Sequence, residues 1–176
     1  MIITIIFITT LTCLENNKEV MVHRKEYFEG IVSQIKGNFP RVRNAQIDVV
    51  LKKIKRYHFV AYKENGEYII EVDAETIPQV DSKKAIVGFL AHELAHFQID
   101  EGLTGLAHRQ DTERYNSSEV YRRKEEKLAD LEAILRGFGR EIYSMRLLVE
   151  KNLWKNSSNY YGLTLKEIRK LVYSNS

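Results

Sequence analysis

Two histidines four residues apart, with a glutamate directly after the first, constrain this chain more than any other feature: His92-Glu93-Leu94-Ala95-His96. The surrounding run, Lys83 to about Ile99, carries Ile86, Phe89, Leu90, Leu94 and Phe97 at helical spacing, with Asp81 or Ser82 as its cap. Residues i and i+4 share a helix face, so both imidazoles can address one metal ion. Glu93 projects beside that face, where it can take a proton from a water that the metal activates. A fold built around this pattern must bring up a third ligand and leave a fourth position open for water.

The third ligand separates the classes. The metzincin completion would need a glycine and a histidine three and six residues after His96, and those positions hold Ile99 and Gly102. Two candidates remain. One is His108, twelve residues downstream; the other lies in the run Arg122 to Asp130. There Glu126 and Asp130 stand at i and i+4, on one face of an expected helix. A glutamate there can bind metal while the aspartate accepts the outer N–H of a ligand histidine. Ala129 and Ala133 would let that helix pack closely on the one carrying the histidines.

Cys13 is the only cysteine, so no intrachain disulfide and no thiolate cluster can form, and any metal must be held by His, Asp or Glu. A length of 176 residues suffices for one domain with a real core and is short for two. Hydrophobic residues make up 44% and charged residues 29%, with 2 prolines, which excludes a disordered chain. The net charge of +3 names no partner. The densest basic stretch, Arg41 to Arg56, reads as a solvated helix face, and no nucleic-acid partner is expected.

Around the motif, Val22 to Lys36 reads as a helix stopped by Gly37, and Ala45 to Ile54 as a second, shorter one. Tyr57 to Tyr62 and Tyr68 to Val72 read as strands joined through Asn65-Gly66, the pair favoured in a type I′ turn. After a polar stretch to Asn116, Ser117 or Ser118 opens a helix to Arg136, stopped by Gly137 and Gly139. Another helix follows from Arg140 to Trp154. Thr164-Leu165-Lys166-Glu167 is a capping box for a last helix with Leu165, Ile168, Leu171 and Val172 inward. The expected class is α+β: a mostly helical domain with a small antiparallel sheet, one helix carrying the histidines and a second carrying the glutamate.

His92-Glu93-x-x-His96 followed by Arg123-x-x-Glu126-x-x-Ala129-Asp130-x-x-Ala133 resembles the gluzincin zinc metallopeptidases of the HtpX-like and CaaX-prenyl-endopeptidase type. Over about Tyr57 to Leu135 the chain is most similar to their small soluble relatives, the minigluzincins. The resemblance implies a zincin-type domain holding one catalytic zinc ion. His92, His96 and Glu126 would be its ligands, Glu93 the general base and Asp130 the support of a ligand histidine. The implied activity is endopeptidase cleavage of a peptide or protein substrate, latent as in a zymogen if a terminal segment such as Thr164 to Tyr173 plugs the cleft. An edge strand above the active helix would pair with the substrate backbone, a role expected of Ile69, Ile70, Glu71 and Val72. Tyr143, Tyr160, Tyr161 and Arg146 are candidate donors to the oxyanion. Two departures stand out: the large members' membrane helices are missing, and Arg122 replaces the serine that often precedes the motif arginine.

Two rival readings accompany this one. A SprT-like protease acting on nucleic-acid-bound proteins would use His108 as third ligand, and a catalytically silent protein would use zinc for stability alone. The apolar run Ile2 to Leu14 is too short to span a bilayer but fits an export-signal core. Residues 1–20 thus read as a signal, a weak membrane anchor, or an extension upstream of a start at Met21, with 21–176 as a single metallopeptidase domain. Export or anchoring is favoured, and a start at Met21 would leave the protein cytoplasmic.

Overall fold

The structure is a computed structural model that describes residues 24–54, 58–75, 82–103, 113–151 and 161–173. The possible leader at 1–20, and with it Cys13, lies outside the described residues, as do His108 and Tyr160. No helix among the described residues is long and apolar enough to cross a membrane.

The chain is α+β. Helix α1 (24–35) is followed by a short 3-10 turn (Lys36–Asn38), strands β1 (Ile47–Lys52), β2 (Phe59–Glu64) and β3 (Glu67–Asp73), then helix α2 (Lys83–Asp100). Helices α3 (113–117), α4 (Glu119–Ala133), α5 (Gly139–Glu150) and α6 (Leu165–Tyr173) complete it. Ser82 Oγ accepts the Ala85 N–H and Ser118 Oγ the Tyr121 N–H, so of the two cap candidates at each helix the second serves. At α6 the Thr164 and Glu167 side chains cap each other's backbone N–H, closing the expected capping box.

The sheet runs β1-β3-β2, with β1 parallel and β2 antiparallel to β3. It is therefore mixed rather than purely antiparallel. Asn65 (φ 50) and Gly66 (φ 88) form the two-residue turn between β2 and β3, and both positive angles suit type I′.

β1 corrects the helix expected over Ala45 to Ile54. Ile47, Val50, Leu51 and Ile54 fit a helical period, but a short apolar run fits either period. Pairing with β3 decides it: Val49 turns into the core, while Val50, inward in the helical reading, is 38% exposed. The basic stretch is accordingly no helix face, and several of its side chains are committed. Arg41 caps the C-terminal carbonyls of α2 through Gln98 O, Lys52 pairs with Glu71, and Lys53 pairs with Glu75.

α2 is buried nearly all round rather than along one stripe, as a central helix must be. The sheet covers one side: Phe28 of α1, Phe59 of β2 and Phe89 of α2 form a chain of ring contacts, and Tyr68 meets Phe97 edge-on. α5 and α4 cover the others. The approach to α5 is close enough to demand glycine at position 88. A Cβ there would lie 2.4 Å from the Glu141 carbonyl oxygen and 2.9 Å from Met145 Cβ. Replacing Gly88 by alanine is expected to lower stability by about 1–3 kcal/mol through overpacking, outweighing the gain of roughly 1 kcal/mol in helix propensity. A denaturant titration showing the variant at or above wild-type stability would refute that close contact.

The break between α4 and α5 falls at Gly137 (φ 97). Gly139, expected to stop a helix, instead begins α5, and Val172 of α6 packs on it. α6 rests on α5 with Ile168 fully buried, whereas Leu171, expected inward, is 47% exposed. The segment named as a candidate plug thus contributes to the core, the commoner role of such an amphipathic helix.

Candidate metal centre

His92 and His96 project from adjacent turns of α2, and their Nε2 atoms are 3.2 Å apart. α4, packed against α2, brings Glu126 to the same point: Oε2 is 3.1 Å from His92 Nε2 and Oε1 is 3.7 Å from His96 Nε2. These three residues form a group able to hold a metal ion. Ligand atoms at about 2.0–2.1 Å from a tetrahedral zinc lie roughly 3.4 Å from one another, close to these spacings. Two imidazoles and one carboxylate are also a donor set that zinc accepts. Glu125, next to Glu126, stays outside the group.

Asp130 lies one turn beyond Glu126 on α4 and is fully buried. His92 Nδ1–H donates to its Oδ1 at 2.8 Å, which directs the Nε2 lone pair toward the metal position. Its other oxygen, Oδ2, accepts the backbone N–H of Leu163 at 2.7 Å. The stretch leading into α6 therefore buttresses the residue that orients His92.

Burial opposes the charged form of His92, but its bonds to Asp130 and Glu126 outweigh this and raise its pKa well above the usual value. For Glu126 burial again works against charge, and the two histidines win, lowering its pKa. In the metal-free protein these groups share protons, so loading a cation must displace them. Glu93 is buried beside the group, and burial pushes its pKa up to about 7. The backbone of Ala61 in β2 works against this rise. The site faces solvent on the His96 side, with that side chain 23% exposed against 6% for His92.

The strand beside the site is not the expected one. Ile69, Ile70, Glu71 and Val72 lie in β3, whose backbone is paired on both sides, so they cannot pair with a further strand. Glu71 faces away from α2 and binds Lys52 and the Tyr62 hydroxyl. The strand next to α2 is β2. Its two-residue turn makes Glu64 and Glu67 a hydrogen-bonded pair, so alternation points the peptide groups of Phe59, Ala61 and Lys63 away from β3.

Of the candidate oxyanion donors, the three among the described residues have other partners. Tyr143 packs edge-on against Tyr173, Arg146 pairs with Glu150, and Tyr161 lies under the Arg122 and Arg123 guanidinium groups. The phenol that reaches the centre is Tyr115 of α3, whose hydroxyl donates to Glu126 Oε1 at 2.5 Å. Tyr115 lies in the polar stretch, where no periodic signal marks it. No family model matches the chain, and comparisons with curated proteins and with solved structures return no match.

Proposed function

We propose that this protein is a zinc-dependent endopeptidase of gluzincin type, with His92, His96 and Glu126 as ligands and Glu93 as general base. One observation carries the reading: a preset His-His-Glu group with a buried, unligated carboxylate directly beside it. A merely structural zinc site closes with four protein ligands, whereas among the described residues this group offers three, as a site with a position left for water would. When bound, the ion supplies a Lewis acid for the scissile carbonyl and acidifies a water. Glu93 takes the water's proton and passes it to the leaving amine. Asp130 keeps His92 in the tautomer that presents Nε2. The outward edge of β2 at Phe59, Ala61 and Lys63 offers backbone groups for an extended substrate, in place of β3.

Metal content of the purified protein tests the ligand set. Wild type is expected to hold about one zinc per chain, Glu126→Ala to lose it, and His108→Ala to keep it. Loss of zinc on replacing His108 instead would favour the SprT-like arrangement. Wild type without zinc would remove the peptidase reading altogether.

A further inference from the structure

We propose that Tyr115 is a positioning residue of the metal centre: its hydroxyl holds one oxygen of Glu126, so that the carboxylate offers the other to the ion. This rests on the ligand set proposed above and adds a residue from a third helix to it.

A carboxylate ligand has two equivalent oxygens and can bind through one or both. Here the two oxygens have different partners. Oε1 accepts the Tyr115 hydroxyl at 2.5 Å, at the short end of the range for a bond to a charged acceptor, and stands 3.7 Å from His96 Nε2, while Oε2 lies closer in, 3.1 Å from His92 Nε2. An oxygen already engaged by a phenol is a poorer second ligand. Tyr115 therefore favours attachment through Oε2 alone and keeps coordination low.

The phenol is itself held from two directions. Arg122 Nε donates to the Tyr115 carbonyl at 3.2 Å, and its guanidinium stands 5.6 Å from the ring centre. Arg122 Nη2 also donates to the Asn116 carbonyl at 3.4 Å. Arg122 belongs to α4, as Glu126 does, so one arginine ties the short α3 to the helix that carries the ligand. The same guanidinium stands 5.9 Å from the ring of Tyr161, two residues before Leu163, whose N–H supports Asp130. Both carboxylates of α4 at the site are thus braced from outside the two main helices.

The test compares wild type with Tyr115→Phe, which removes one hydroxyl and keeps the ring. Zinc affinity is read by competition with a chromophoric chelator, and coordination number by the visible absorption of the cobalt(II)-loaded protein. The variant is expected to bind zinc about 10- to 100-fold more weakly, the usual cost of removing an outer partner of a ligand. Its cobalt band should weaken and shift as a second carboxylate oxygen enters, while the metal-free circular dichroism stays unchanged. Arg122→Ala should give a smaller loss in the same direction. Unchanged affinity and an unchanged cobalt spectrum in Tyr115→Phe would overturn the proposal while leaving the ligand set standing. A fall in kcat alone would also overturn it, and would place the phenol on the substrate instead. A wild type that binds no zinc would sink the ligand set itself, a result distinct from both.

Discussion

Replacing Glu93 by glutamine is expected to abolish peptide hydrolysis while leaving the zinc content near that of wild type. Glu93 follows the first ligand on α2, is buried, and stands outside the ligand group. Glutamine keeps its shape and an accepting carbonyl, so His92, His96 and Glu126 should not move. What is lost is the ability to take a proton, worth about 10²- to 10⁴-fold for a positioned general base. A peptide-library assay alongside metal analysis measures both quantities. Substantial residual cleavage with full zinc would show that another group moves the proton.

The same substitution has a signature in the metal-free protein. Burial raises Glu93 from 4.5 to about 7, so the folded state holds that proton over a range where the unfolded chain has released it. Stability from the protonated form is complete below about pH 4.5 and is lost as pH rises through 7. Metal-free Glu93→Gln should therefore gain on metal-free wild type as pH rises across that window. The sign is the check: a variant that loses ground with rising pH would contradict the burial argument.

The second large effect is expected at Asp130. Both of its oxygens accept, one from His92 Nδ1–H and one from Leu163 N–H, and the side chain is fully buried. Asparagine has nearly the same size but carries one acceptor and one NH₂ group. With its oxygen on the Leu163 N–H, its NH₂ faces His92 Nδ1, which can accept only in the tautomer that puts the proton on Nε2, the atom facing Glu126. The fold should lose about 1–3 kcal/mol as bonds to a buried charged acceptor become neutral ones. Zinc affinity should fall about 10- to 100-fold as His92 loses its orientation or its support loosens. Chelator competition and denaturant unfolding report the two separately. Full zinc affinity in Asp130→Asn would mean that His92 is oriented by packing alone.

That tie also bears on the C-terminal segment. Leu163 enters α6 from the Asp130 carboxylate, Thr164 and Glu167 cap the helix, and Lys127 of α4 pairs with Glu167 at 2.8 Å. Residues 161–173 thus brace the helix bearing Glu126 and Asp130, and Ile168 fills the core. A segment so used stabilises the centre.

Much of the site is legible in the sequence because its parts are local. The i and i+4 spacing of His92 and His96, and of Glu126 and Asp130, needs only that each stretch be helical. The turn at Asn65-Gly66 and the capping box at Thr164 are likewise set by neighbouring residues. Where local signals conflict, tertiary pairing decides. The β1 stretch satisfies both periods because its apolar run is short, and its partner β3 selects the strand.

The remaining features depend on residues far apart in sequence. Glu126 lies 34 positions from His92, and Leu163 lies 33 from Asp130. Which strand borders the site follows from the β1-β3-β2 order, which places β2 rather than β3 beside α2. Tyr115 reaches Glu126 because Arg122 folds α3 back onto α4. By itself the sequence determined the helical faces that carry His92, His96, Glu126 and Asp130, since 3.6 residues per turn is a local property. The tertiary structure alone decided how those faces meet and what braces them, because hydrogen bonds across such separations form only once the core has packed.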